Sequence, residues 1–308
     1  MVTGNQTNVK EFILLGFPGS WYVQTSLFML FLFMYLLTLT GNITIIAVVG
    51  THRLFLTPMY YFLCNLSFLD IMFTTAYIPQ TLAHLVSQSK SISFLNCLMQ
   101  MYFVFSLGCI EYFLLAVMAY DRYLAICHPL HYSSNMNSTF SSLLAFGSWA
   151  GGFLTVCVPA FLISRLTFCG PKIINHFFCD IDSWIVLSCT DTHIVEMMYF
   201  TLSFIVVLGS FSVTLVSYIY IISTILKIPS PQYWPKAFST CSAHLTVVVI
   251  WYGCSIFLYV KPSKQSSLSM NKVVTLLNTV MTPLLNPFIY TLRNKEIKDI
   301  LRKAFCAT

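Results

Sequence analysis

Seven runs of apolar residues, each near the roughly 20 that one bilayer crossing requires, divide the chain. They run from Leu27 to Val49, Met59 to Leu82, Cys97 to Ile126, Leu143 to Ile163, Val195 to Leu226, Ala237 to Val260 and Val273 to Leu292. Backbone amides in hydrocarbon must find partners within their own segment, so runs of this length predict helices. The expected fold is an all-α membrane protein, a seven-transmembrane helix bundle, forming one domain over 1–308 with its ends on opposite faces of the bilayer. The two halves show no repeat and no matched pair of broken helices, which argues against a transporter. The start, MVTGNQTNVKEF, lacks a basic stretch followed by an apolar core, so the first span itself is expected to direct insertion.

Composition agrees with the pattern: the chain is 57% hydrophobic and 8% charged, where a soluble surface needs about a quarter of its residues charged. The net charge of +6 is spread thinly over loops and the C-terminus. That distribution suits a membrane face and the lipid bilayer as partner, and no nucleic acid. Nine of the 16 Lys and Arg residues fall on one face and seven on the other, so the flanks of the first span decide orientation. Lys10 and Glu11 cancel before it, whereas His52 and Arg53 follow it, placing the N-terminus (about 1–26) outside and the C-terminus (about 293–308) in the cytosol. Asn5-Gln6-Thr7 then stands where a glycan can be attached. Asn42-Ile43-Thr44 and Asn65-Leu66-Ser67 lie inside spans and Asn137-Ser138-Thr139 on the inner side, so these are chance matches. Four of the 11 cysteines, Cys97, Cys169, Cys179 and Cys189, lie at or in outer loops. An oxidising lumen would pair them, and spacing leaves three connectivities open.

The stretch MAYDRYLAICHPLHY, residues 118 to 132, closes the third run with an acid and a base, Asp121 and Arg122. Val104, Gly108, Glu111, Leu115, Met118 and Arg122 step by four and three, so they share one helix face. At about 1.5 Å per residue, Arg122 lies about 16 Å below Glu111 and Val104 about 10 Å above it. Asp70, counted inward from Met59, reaches the depth of Glu111. Two carboxylates facing each other in low dielectric cannot both stay charged without a cation or a shared proton. A sodium or proton site at Asp70 and Glu111 is therefore expected, with Asn42 and Asn286 as polar neighbours; the plainer alternative is two protonated acids bonded to adjacent helices. Neither acid has a nucleophile or water path beside it, so enzymatic use is not expected.

Four motifs, taken together and in order, resemble the vertebrate olfactory receptors within the rhodopsin-like G protein-coupled receptors. They are Thr57-Pro58-Met59-Tyr60-Tyr61 leading to Leu66-Ser67-Phe68-Leu69-Asp70, MAYDRYLAICHPLHY, Lys236-Ala237-Phe238-Ser239-Thr240-Cys241-Ser242-Ala243-His244, and Pro283-Leu284-Leu285-Asn286-Pro287-Phe288-Ile289-Tyr290. His176-Phe177-Phe178-Cys179-Asp180 adds a fifth, and the match covers nearly the whole chain. Departures are Tyr61 in place of Phe, Ala243 beside His244, and Trp251 where Phe is common before Tyr252-Gly253. None touches the switch residues, and they bear on pocket detail and activation tuning.

The resemblance implies a gate in which Asp121 holds Arg122 at rest and releases it toward a heterotrimeric G protein, with Tyr218 and Tyr290 at positions that restrain or support the arginine. His244 could bond Arg122 or its neighbours. It also implies disulfides Cys97 to Cys179 and Cys169 to Cys189. His176 and Cys179 have a soft-metal spacing, but a disulfide sulfur supplies no thiolate. Family-matched inward positions are Val104, Phe105, Gly108, Cys109, Tyr199, Leu202, Ser203, Val206, Tyr252, Ser255, Ile256, Tyr259, Leu276 and Thr279. This lining suits a small, mostly hydrophobic odorant oriented by one hydrogen bond from Ser255, Tyr259, Ser203 or Thr279. Val104 stands where amine receptors of this bundle carry Asp, which disfavours a biogenic amine. Burying roughly 250 Å² at about 25 cal/mol per Å² offers some 6 kcal/mol gross, so micromolar affinity is expected. At the C-terminus, Arg293, Lys295, Lys298, Arg302 and Lys303 alternate with Ile297, Ile300, Leu301 and Phe305 as a short amphipathic helix for the inner leaflet.

The resulting expectation is an olfactory receptor in the plasma membrane of olfactory neuron cilia, without a cofactor other than sodium. It would bind a small volatile odorant and activate a stimulatory, olfactory-type G protein to raise cyclic AMP. The alternatives are a same-fold receptor for a metabolite outside the nose and, from a different class, a membrane transporter.

Overall fold

The structure, a computed structural model, describes residues 10–52, 54, 57–87, 90–169, 171–227, 234–259, 268–293, 297–300 and 302. A short strand, β1 (Glu11–Leu14), precedes the long helix α1 (Trp21–Thr51). The second crossing is broken into α2 (Pro58–Thr75) and α3 (Ile78–Val86). Pro79 lacks an amide hydrogen and sits in the first turn of α3, where a missing donor costs nothing, whereas continuing one helix through it would lose a bond. Strand β2 (Ser91–Ser93) leads into α4 (Phe94–Cys127), whose first turn is capped by Ser93 accepting the Asn96 amide at 3.2 Å. A 3-10 turn (Pro129–His131) and one turn of helix, α5 (Tyr132–Asn135), reach α6 (Ser138–Ser164). Asn137 caps α6 by accepting the Phe140 amide at 2.9 Å.

Strand β3 (Ile173–Ile174) and α7 (Ile181–Leu187) form the loop before α8 (His193–Leu226). Then follow α9 (Trp234–Tyr259), α10 (Leu268–Leu276), a π-helical turn (Leu277–Met281) and α11 (Thr282–Arg293). Among the described residues, six helical stretches are long and apolar enough to cross a membrane, and α9, with apolar residues His244–Ile256, completes a seven-helix bundle. Helix α4 runs through the middle, packed along α6 and α8 and touching α2 and α9. Phe33, Phe146, Leu154, Phe204 and Val216 point outward and exposed, the arrangement expected where hydrocarbon rather than water is the solvent.

Two glycines mark the tightest approaches. A Cβ on Gly152 of α6 would stand 2.9 Å from the Ser106 carbonyl of α4, and one on Gly41 of α1 would stand 2.8 Å from Pro287 Cγ of α11. At one end of the bundle β1 pairs antiparallel with β2 and parallel with β3, in the order β2-β1-β3. Phe12, Phe94, Phe168 and Trp184 cluster beneath this sheet with ring centroids 5.0 to 6.1 Å apart. The disulfides Cys97–Cys179 and Cys169–Cys189 complete the lid. At the other end Ile297 is buried, Lys298 and Asp299 are exposed and Ile300 packs on the core. The remainder of the amphipathic segment, Leu301, Lys303 and Phe305 included, lies outside the described residues, as does Asn5.

Candidate functional site

Beneath the lid, α4, α6, α8, α9, α10 and the π turn enclose a cavity of about 440 Å³. Of the expected positions, Val104, Phe105, Gly108, Cys109, Tyr199, Leu202, Ser203, Val206 and Thr279 lie in its wall. Tyr252, Ser255, Ile256 and Leu276 do not. Ile256 is 42% exposed on the outside of α9, and Ser255 is buried one layer back, accepting from Tyr112 Oη and donating to the Trp251 carbonyl. The side chain of Tyr259 lies outside the described residues. The floor is aromatic: Tyr112 and Phe73 flank Trp251 with centroids 5.4 and 6.4 Å away.

Sequence reasoning missed three groups of residues here. Asn278 and Thr275 enter the wall beside Thr279, at the i, i+3, i+4 spacing of one helix face, a signal already present in the sequence. The lid adds Asn175, His176, Asp180 and Asp182, placed by the sheet and disulfides rather than by any helical pattern. Lys272 ties this roof together, donating to Asn175 Oδ1 at 2.7 Å and to the Gly16 carbonyl at 3.0 Å. Gly16 turns the chain there with φ of 59°, a conformation that costs glycine little. Burial, with Lys272 nearby, lowers the His176 pKa to about 3. Burial, with Asp182 beside it, pushes Asp180 up to about 8.

Deeper in the bundle, Asp70, Glu111, Asn42 and Asn286 are fully or almost fully buried. Asn286 Nδ2 donates to Asp70 Oδ2 at 2.9 Å, and Asn42 Nδ2 donates to the Pro283 carbonyl at 3.2 Å. Asp70 Oδ1, both Glu111 oxygens, Asn42 Oδ1 and Asn286 Oδ1 have no hydrogen-bond partner among the described residues. Orphaned oxygens on this scale require a ligand, water or proton, and hard oxygen donors suit a small hard cation.

At the end opposite the lid, Arg122 Nη2 lies 3.6 Å from Asp121 Oδ2, and Tyr132 Oη donates to Asp121 Oδ1 at 2.7 Å. Tyr218 of α8 and His244 of α9 share a hydrogen bond at 2.7 Å between Oη and Nδ1. His244 thus takes Tyr218 as its partner, where the sequence pointed to Arg122 or its neighbours. Tyr290 is buried nearby with no partner for its hydroxyl among the described residues.

A cavity beneath a lid at one end, a buried polar centre and an Asp121–Arg122 pair at the other end, all involving α4, fit a multi-pass, seven-helix membrane receptor. Residues 31–308 match the family model described as olfactory receptor. The chain is 62% identical over 299 residues to olfactory receptor 287 of Rattus norvegicus, covering 97% of this chain and 96% of that one. It is 60% identical over 303 residues to olfactory receptor 6F1 of Homo sapiens, covering 98% of each. The chain belongs to the olfactory receptor family, and it is a receptor rather than an enzyme.

Proposed function

We propose that this receptor binds small, mostly hydrophobic odorants in the cavity beneath the lid and, on binding, activates a stimulatory, olfactory-type heterotrimeric G protein that raises cyclic AMP. The observation that carries the reading is the cavity of about 440 Å³ walled mainly by side chains of α4, α6, α8 and the lid. That size lies in the range of small-molecule sites. Helix α4 supplies both its wall, through Val104 and Gly108, and the Asp121–Arg122 pair. A ligand that favours a rotated or shifted α4 therefore biases the arginine latch through one rigid element. Helix α9 does the same from the other side, with Trp251 in the wall and His244 bonded to Tyr218.

The lid carries both disulfides, which form in oxidising compartments. This supports an outward-facing lid and N-terminus, a cytosolic Arg122 face and access of Asn5 to glycan attachment; the sensory cilia are the place the olfactory reading implies. Asp70, Glu111, Asn42 and Asn286 would hold a sodium ion or share a proton, supplying the charge compensation that their unpaired oxygens lack. The deciding experiment is cyclic AMP output in cells co-expressing the olfactory G protein, across a broad odorant panel, with Arg122→Ala in parallel. Odorant-dependent output that is lost in Arg122→Ala supports the reading; full output from that variant removes the latch.

A further inference from the structure

A second concavity, of about 510 Å³, opens on the outside of the bundle between the broken second crossing and α4. It shares no lining residue with the cavity beneath the lid. Met72, Ala76 and Gln80 form one wall and Asn96, Phe103 and Leu107 the other. These positions step by four, or by seven and four, so each set is one helix face. Ala76, in the break between α2 and α3, contributes only a methyl group. The second crossing rises toward the lid and α4 descends from it, so Met72 and Leu107 stand at the deep end and Gln80 and Asn96 at the end beside the lid.

The groove is continuous with the surface that meets lipid. Thr75, Pro79, Asn96 and Met99 in its wall are exposed, on helical stretches apolar enough to cross a membrane. At about 1.5 Å per residue, Asn96 to Leu107 covers about 16 Å of α4, all of it on the lid side of Glu111. That is one leaflet of a hydrocarbon layer about 30 Å thick. An empty groove at this depth would forfeit dispersion contacts along its lining, so a lipid fills it, and the polar end sets which lipid. Among the described residues no charged side chain lines the groove, so a phosphate head group finds no countercharge. Gln100 is committed, with Nε2 donating to the Ala76 carbonyl at 3.4 Å and Oε1 accepting from the Cys179 amide at 2.9 Å. Gln80 Nε2 is bonded to His84 Nε2 at 2.7 Å. Asn96 differs: the Ser93 cap engages its backbone amide, and its exposed side chain brings an uncharged carboxamide to the polar end.

We propose that this groove binds a membrane sterol, a rigid apolar ring system with a single hydroxyl, in the leaflet on the lid side of the bilayer. The rings lie along Met72, Ala76, Phe103 and Leu107, and the hydroxyl donates its hydrogen to Asn96 Oδ1. A neutral head with one donor matches a polar end that offers an amide and no charge. A rigid skeleton gives up little conformational entropy on settling into a fixed groove, and a flexible acyl chain gives up more. The inference does not depend on what the cavity beneath the lid binds.

The test is photolabelling of the full-length receptor in phosphatidylcholine nanodiscs carrying a photoreactive cholesterol analogue, with the adducts mapped by peptide mass spectrometry. Labelling is expected to concentrate on 71–80 and 96–107 and to be displaced by cholesterol. Cholesteryl methyl ether, which has no hydrogen to donate, should displace it about fivefold less well, the value of one net hydrogen bond. Asn96→Leu leaves the Ser93 cap in place and should remove that difference. Ala76→Phe puts a ring into the groove and should reduce labelling severalfold, whereas Leu154→Phe, on an exposed face of α6, should leave it unchanged. Where Ala76→Phe cannot be purified, the competition in wild type and in Asn96→Leu decides alone. Label spread evenly over the lipid-facing sides of α6 and α8 overturns the site. Equal displacement by cholesterol and its methyl ether in the wild type, or equally strong labelling of the groove by a photoreactive phosphatidylcholine, overturns the sterol as its occupant.

Discussion

The two oxygens of Asp121 are divided between two partners: Oδ2 faces Arg122 at 3.6 Å, and Oδ1 accepts from Tyr132 at 2.7 Å. The tyrosine lies on α5, outside the crossing helices, so the loop after α4 holds the carboxylate that holds the arginine. Removing the hydroxyl frees Asp121 to turn and loosens the latch. A hydrogen bond to a charged acceptor is worth about 1.5 to 3 kcal/mol, of which only the part differing between resting and active states changes activity. Tyr132→Phe is therefore expected to raise ligand-free cyclic AMP severalfold at unchanged surface expression. Basal output equal to wild type would show that the bond is equally strong in both states.

Tyr218 and His244 bond across α8 and α9, tying the two helices together. Tyr218→Phe and His244→Phe should each destabilise the resting bundle. In a double-mutant cycle the pair should show a coupling of about 0.5 to 1.5 kcal/mol, the net worth of one such bond. Thermal unfolding of purified receptor in detergent reads this directly. Strict additivity would mean that the two side chains act independently.

Gly152 and Gly108 offer a contrast on facing helices. An added methyl at Gly152 meets backbone, with Ser106 O at 2.9 Å, whereas one at Gly108 meets nothing within 4 Å and faces the cavity. Overpacking against backbone typically costs about 1 to 3 kcal/mol. Gly152→Ala should thus lower surface expression and thermal stability, while Gly108→Ala should fold normally and shift odorant potency toward smaller ligands. Flow cytometry and dose–response curves on the two variants separate these outcomes.

The lid should respond to external pH through Asp180. Its folded-state pKa of about 8 exceeds the ordinary 3.8, so the folded lid retains a proton that the opened lid releases. That contribution is complete below the ordinary value and is lost as pH rises toward 8. His176, lowered from 6.5 to about 3, acts in the opposite sense: its contribution is present above 6.5 and lost on acidification toward 3. Between pH 6.5 and 8 Asp180 therefore dominates the pair, with Asp182, Glu196 and Lys272 as the charges nearby. Amide hydrogen exchange across 174–187, corrected for the intrinsic rate, should quicken as pH rises through this window. Asp180→Asn should flatten the response; an unaltered pH profile in that variant would exclude Asp180 as its source.

Sodium should stabilise the receptor through the buried carboxylates. Raising sodium at constant ionic strength is expected to increase the thermal midpoint of the wild type, following the mass-action dependence of any ligand bound only by the folded state. Asp70→Asn and Glu111→Gln should abolish the increase. A midpoint that does not change when sodium replaces a bulky organic cation would point to a shared proton instead.

Much of this protein was determined by the sequence. Seven apolar runs dictate seven helices because hydrocarbon offers a backbone amide no other partner. The four-and-three spacing from Val104 to Arg122 placed cavity wall, buried acid and latch on one face of α4, and the depth count put Asp70 level with Glu111. Spacing left the cysteine pairing open among three alternatives, and family resemblance supplied the pairing that the structure contains.

What only the tertiary structure decided lies where helical periodicity fails or where distant segments meet. Ser255 finds its partners inside the protein, and Ile256 turns outward. The roof of the cavity depends on a sheet joining residues 11–14, 91–93 and 173–174, and on Lys272 reaching Gly16 and Asn175. Such contacts have no local signature, because a side chain's partner across the bundle is chosen by the three-dimensional packing of many residues at once and not by its neighbours in the chain.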